Sequence, residues 1–238
     1  MKSVLSRIDE FLQFLAHDVQ PATAELSKLT DSNRNHVQRL VYTNLVDRFD
    51  VLVDQLLLEL VASQAIQDDL LQNMTAAVTE ATLLRYVLSI PQRGSQAAIE
   101  RLCDEMRSTL LRQRHARKFE RLCKSLLPDE DLKKPRVNDN DGWILSTRKA
   151  NPAIPLSIVG YADWLYCRRN AVVHGGSSRQ MSDRDHEYLV EHYREVKAPA
   201  RSVRLKLGSI TNAANFYRCI SEKIQGTARH VKQEQTER

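Results

Sequence analysis

The stretch from Tyr161 to Gly176, YADWLYCRRNAVVHGG, gathers the side chains of this chain best suited to phosphate and acid/base chemistry. Arg168, Arg169, Asn170 and His174 fall in the last turns before Gly175 and Gly176, whose tolerance of left-handed backbone marks a helix end. Histidine, with an unperturbed pKa of about 6.5, takes up and releases protons near neutral pH. Arginine stays charged and can fork two hydrogen bonds onto a phosphate. An imidazole beside guanidinium groups at one helix terminus therefore fits phosphodiester cleavage without a metal. The same residues also fit a structural reading, with Arg169 in a salt bridge and His174 stabilising the negative end of the helix dipole.

On a helix, Asp163, Cys167, Asn170 and His174 share a narrow sector, because their successive separations of 4, 3 and 4 are helical neighbours. Arg169 lies on an adjoining side with Tyr166 and Val173, and its long side chain can bend toward the last turn. Trp164, Leu165, Arg168 and Val172 occupy other sides, so packing over most of this helix's circumference is expected.

The elements that position these residues are helical in pattern. The chain has 238 residues, 42% of them apolar, with only 7 Gly and 7 Pro, which argues against a turn-rich all-β design. A first helix is expected over residues 2–16 from Val4, Ile8, Leu12 and Leu15, with a short helical piece between Pro21 and Leu29. Asp31 and Ser32 offer caps to a long helix whose apolar stripe is Val37, Val41, Leu45, Phe49, Leu52, Leu56 and Leu60. Asp47, Asp50 and Asp54 share its other side; they admit a metal or acid/base reading, but a solvated face is the expectation. Further helices are expected over 67–90, ended by Pro91 and Gly94, and from Ser95 through Ile99, Cys103, Met106 and Leu110, with Phe119, Leu122 and Leu126 resuming the stripe.

Residues 128–155 hold four prolines and a DNDG turn signal, and read as a surface connection pinned by Trp143, Ile144 and Leu145. Pro155 opens the helix Leu156 to His174. Ser182 and Asp185 form a capping box for a helix to about Lys197. The alternation in SVRLKL suggests an extended piece, Thr211 caps a last helix carrying Ala214, Tyr217, Ile220 and Ile224, and a frayed tail is expected over 227–238.

Other chemistry is sparse. The run RQRHARK holds Arg112, Arg114, Arg117 and Lys118 around His115; it could grip a phosphate backbone, or form a charged solvent-facing helix, since no aromatic residue is interleaved for base stacking. Cys103, Cys123, Cys167 and Cys219 lack Cys-x-x-Cys pairing and read as buried free thiols. His186 and His192 do not have zinc spacing, and neither a glycine-rich phosphate loop nor a Gly-x-Ser-x-Gly elbow occurs. No metal or cofactor is expected. The formal charge of +5 makes a polyanion partner credible without demonstrating one. No apolar run reaches a membrane span and the first residues do not have signal-peptide character, so a cytoplasmic setting is expected.

The string Arg169-Asn170-Ala171-Val172-Val173-His174, late in an all-helical chain and followed by glycine, resembles the Arg-x4-6-His motif of HEPN-domain ribonucleases, in the form with Asn after the Arg. The apolar helix before Arg169 and the helical segments on both sides look like the RiboL-PSP type, found in prokaryotic defence and stress systems. The resemblance covers most of residues 32–225, leaving 1–31 as a helical extension and 128–155 as an insertion within a single domain. It implies an all-α antiparallel bundle and a homodimer whose two motifs face one cleft. It also implies a metal-independent endoribonuclease acting on RNA, in phage defence or as a toxin-like effector with an antitoxin or other defence-system partner. Arg169 would hold the scissile phosphate, His174 would be the acid/base residue and Asn170 would orient the site, with Arg168 a secondary phosphate contact. Relatives with a Tyr two residues after the His have Gly176 at that position here, so that role does not carry over. A non-catalytic module binding RNA, a nucleotide or a protein is the alternative, and an oligomer built on residues 37–60 is a third reading.

Overall fold

The computed structural model describes residues 2–60, 88, 104, 107–127, 132, 154–174, 180–193, 201 and 203–236. The expected helix over 67–90 lies outside them except for Leu88, which is helical but 63% exposed rather than part of an inward stripe. Most of the connection over 128–155, including Trp143, Ile144 and Leu145, also lies outside, as do Cys103 and Met106.

The protein is all-α, with no strand among the described residues. Helix α1, Lys2–Phe14, buries Val4, Ile8, Phe11 and Phe14. The helical path continues through Pro21 without a break. Proline has no N–H to bond the carbonyl four residues back, and its ring crowds that carbonyl. The chain responds by widening into a π turn, Leu15–Val19, in which the Gln20 N–H reaches Leu15 O, and then continues as α2, Gln20–Glu25, with Pro21 in the first turn.

A short 3-10 turn, Leu26–Lys28, leads to α3, Asp31–Leu60. Arg34 ties the corner by donating to Leu26 O at 2.9 Å, Leu29 O at 2.7 Å and Asp31 Oδ1 at 2.9 Å. The bonds to Leu26 O and Leu29 O give the carbonyls at the helix end a donor where intrahelical donors run out. The expected stripe of α3 packs inward, and Tyr42, Val46, Val53 and Leu57 widen it.

Beyond a helical stretch over 107–111, four further helices follow: α4, His115–Leu126; α5, Ile158–His174; α6, Asp183–His192; and α7, Leu207–Thr236. Phe49 on α3 is where α1, α4 and α7 converge. Its ring stacks on Tyr217 of α7 at 4.0 Å between centroids and lies 5.6 Å from Phe11 and 5.9 Å from Phe119. Arg7 pairs with Glu59 while Phe11 meets Phe49, so α1 runs antiparallel to α3.

Three boundaries differ from expectation for identifiable reasons. The polar run 112–118 is divided, with Arg114 extended before α4 begins at His115. Helix α6 has the expected cap, Ser182 Oγ accepting from Asp185 N–H at 3.1 Å, but ends at His192, as the backbone of Tyr193 leaves helical geometry and its hydroxyl donates to Asp163 Oδ2 at 3.4 Å. Helix α7 starts at Leu207, with Ser209 Oγ reaching back to accept the Lys206 N–H at 2.9 Å, and it runs past Gly226 rather than fraying there.

Gly160 and Gly226, both inside helices, should respond in opposite ways. A Cβ on Gly160 would lie 2.6 Å from Ser157 Oγ, 2.7 Å from Pro155 Cβ and 2.9 Å from Tyr193 Cδ1, whereas one on Gly226 would meet nothing within 4 Å. Gly160→Ala is expected to lose about 1–3 kcal/mol by overpacking, and Gly226→Ala to gain about 0.5–1 kcal/mol from helix propensity. Urea unfolding of both variants measures the two signs.

Candidate functional site

The acidic side of α3 is not simply solvated. Asp47, Asp50 and Asp54 are spaced by 3 and 4 residues, so they line one face, and that face meets the cations of α4 and α5. Lys118 on α4 places Nζ 2.6 Å from Asp54 Oδ1 and 3.3 Å from Asp50 Oδ1, with its side chain 6% exposed. His115 Nδ1 lies 2.6 Å from the same Asp50 oxygen, while its ring stacks on Tyr166 of α5 at 4.7 Å. Its Nε2 is buried without a hydrogen-bond partner among the described residues.

Burial raises the affinity of Asp50 for a proton, but the hydrogen bond and charge of His115, helped by Lys118, outweigh it and hold the carboxyl below its ordinary value. At Asp54 burial prevails over Lys118 and the carboxyl is pushed up. Burial would lower Lys118, but its bonds and charge pairing with Asp54 and Asp50 raise it instead. Among the described residues no group of three or more His, Cys, Asp or Glu is placed to hold a metal ion. The α3 carboxylates are engaged with cations.

Asp47 holds the motif arginine. Arg169 Nη2 donates to Asp47 Oδ2 at 3.0 Å, and Nε lies 2.6 Å from Oδ1 at an angle unsuited to a hydrogen bond, so charge completes that side of the pair. Arg169 Nη1 donates to Asn170 Oδ1 at 3.1 Å, which draws the guanidinium toward the sector that Asn170 shares with His174. The arginine side chain remains 22% exposed. His174, the last residue of α5, is exposed and makes no side-chain hydrogen bond or ion pair among the described residues. The structure therefore joins Arg169 to Asn170 and leaves the imidazole open at the helix end.

Asn170 is supported from its other side. Its Nδ2 donates to Asp185 Oδ2 at 3.5 Å, and Asp185 Oδ1 accepts from Arg114 Nη1 at 3.3 Å. Arg114 Nε also donates to Asp163 at 3.4 Å and Nη2 donates to Cys167 Sγ at 3.1 Å, while the guanidinium lies 3.6 Å from the centre of the Tyr188 ring. Asp163 is fully buried; burial pushes its carboxyl up, with Arg114 opposing. Burial, together with Asp163 and Asp185, raises the Cys167 thiol well above its ordinary value, so it is not a poised nucleophile. Cys123, Cys167 and Cys219 are all buried.

Arg168 turns away from the motif face. Its Nη2 donates to Arg204 O and to Ser209 Oγ at 3.1 Å, and its guanidinium packs 4.9 Å from the Trp164 ring and 5.4 Å from the Tyr42 ring. That placement ties α5 to the start of α7 and does not present a phosphate contact. Arg114 and Lys118 are likewise committed to carboxylates, whereas Arg112 and Arg117 are exposed. Residue spacing points to the face holding Asp163, Cys167 and Asn170. Asp47 and Asp185 come from other helices, and only the regular spacing of the α3 acids hints at the first.

No family model, no curated protein and no solved structure matches the chain.

The buried ionisable groups set the alkaline response. Burial raises Tyr42, Tyr193 and Tyr217, and carboxylates raise Lys118. A raised folded value gives stability that is complete below the unfolded value, about 10 for these groups, and is lost as pH rises through the folded one. The melting temperature should therefore fall above about pH 10. Lys118→Met should cost about 2–3 kcal/mol at pH 7, less than for a fully buried pair because Asp50 and Asp54 keep some water. Thermal melts from pH 7 to about 11.5 read both effects; a loss under about 0.5 kcal/mol in the variant would show the pair contributing no more than an exposed one.

Proposed function

We propose that the chain is a HEPN-type, metal-independent endoribonuclease whose active site is completed by a second copy of itself. The observation that carries this reading is the arrangement at the end of α5. Arg169 is oriented by Asp47 and Asn170 and partly open to solvent, and the exposed imidazole of His174 follows on the last turn. Arg169 Nη1 and Nη2 each have a second N–H for a phosphate oxygen. A base removes the proton of the RNA 2′-hydroxyl, the 2′-oxygen attacks phosphorus, the bond to the 5′-oxygen breaks, and an acid protonates that leaving oxygen. Each chain offers one exposed motif histidine for these two proton transfers, so two chains facing one cleft supply both. The resemblance extends the proposal to a cytoplasmic role in phage defence or as a toxin-like effector, with an antitoxin or another defence-system protein as partner.

A specific feature favours a second reading, a non-catalytic module binding RNA, a nucleotide or a protein. The charge of Arg169 is already balanced by Asp47, and Arg114 and Lys118 are balanced by their own carboxylates. Phosphate would have to compete with Asp47 for the guanidinium.

Incubation of single-stranded RNA with the purified protein in EDTA, beside His174→Ala and Arg169→Ala, separates these readings. The proposal expects chelator-resistant cleavage that falls at least about 100-fold in each variant, the scale of a lost general acid/base group. Cleavage abolished by EDTA, or equal in all three proteins, overturns it. RNA binding without cleavage supports the second reading.

A further inference from the structure

Away from the motif, the π turn and α7 enclose a cleft of about 200 Å³. Its floor is apolar, formed by the buried Leu15, Val19 and Ala214. Gln20, Thr23 and Thr211 add polar atoms to its lining, and its cation is Arg218, three residues from Asn215 and so its neighbour on one face of α7. Arg218 is half-buried and makes no ion pair or hydrogen bond among the described residues, and the Asn215 carboxamide is likewise without a partner there. This sets Arg218 apart from Arg34, Arg114, Arg168 and Arg169, whose guanidinium groups are all held by protein acceptors. Pro21 accounts for the π turn, whose Leu15 and Val19 form part of the apolar floor, while the charge comes from Arg218.

We infer that this cleft binds a small apolar molecule carrying one terminal carboxylate. One guanidinium fork matches one carboxylate, and the Asn215 amide can add a donor at its edge. A phosphomonoester, with nearly two charges, would leave much of its charge unmatched by a single cation. An apolar body of about six carbons suits the volume, since a cavity of about 150 Å³ accepts benzene. The carboxylate would lie at the solvent side, where it keeps part of its hydration and avoids the cost of full burial.

Titration of the full-length, isotope-labelled protein with sodium hexanoate, hexylammonium chloride and hexyl phosphate, followed by amide NMR shifts, tests the assignment. Hexanoate is expected to shift residues 15–24 and 211–218 with a dissociation constant on the order of 1 mM. Arg218→Gln should weaken it about tenfold, the loss of one charge-assisted bond. Ala24→Leu, at an exposed position on the rim, should block hexanoate while leaving the remaining spectrum and the melting temperature unchanged. Hexylammonium binding as tightly as hexanoate, hexyl phosphate binding more tightly, unaltered hexanoate binding in either variant, or no shift at these residues would each overturn the inference.

Discussion

The pairing of the α3 carboxylates with the cations of α4 and α5 is the constraint on which the arrangement around the motif depends. Asp47 binds Arg169, Asp50 binds His115 and Lys118, and Asp54 binds Lys118. A half-buried charge is costly without a partner, so each pair penalises any sliding of one helix along another. Such pairs add little net stability compared with apolar packing, but they discriminate between registers. Apolar contacts around Phe49 bring α1, α3, α4 and α7 together, and the charged face then selects how α4 and α5 lie on the pillar.

A second polar layer extends that constraint to the motif. Arg114 bridges Asp163 on α5 and Asp185 on α6, and Asp185 also receives Asn170. Asn170 in turn accepts from Arg169, so the guanidinium is oriented by groups reaching back to α3 on one side and α6 on the other. Linked hydrogen bonds of this kind limit rotamer freedom better than isolated ones. An oriented guanidinium loses less entropy when it meets an anion, which suits a binding role as well as a catalytic one. His174 is exposed at the end of α5 and lacks such support among the described residues.

Much of the helical framework is legible as pattern. The stripe from Leu45 to Leu60 predicts the buried side of α3, and the Ser182 cap predicts the start of α6, because both signals are carried by residues within one or two turns. Pro21 reads as a break in the sequence and is a widening in the fold, since a π turn relieves the same steric conflict without ending the helix. The acids of α3 read as solvated because spacing reports a shared face without reporting what faces it. Arg168, Arg114 and Lys118 read as phosphate contacts on charge alone; their acceptors, the Arg204 carbonyl, Ser209, Asp185, Asp163, Asp50 and Asp54, all lie outside their own turns of helix.

The sequence by itself determined the all-α class, the long α3 pillar and the placement of Arg169, Asn170 and His174 on the final turns of one helix, since these come from local periodicity and capping. Only the tertiary structure decided that Arg168 is bound in the interior, that Arg169 is paired with Asp47, that Cys167 lies between Arg114 and Asp163 and that Arg218 borders an apolar cleft. The physical reason is range. Helix formation is governed by neighbours three and four residues apart, whereas the charge state, orientation and accessibility of a side chain depend on partners far along the chain, such as Tyr42 and the Leu165 carbonyl, 123 residues apart.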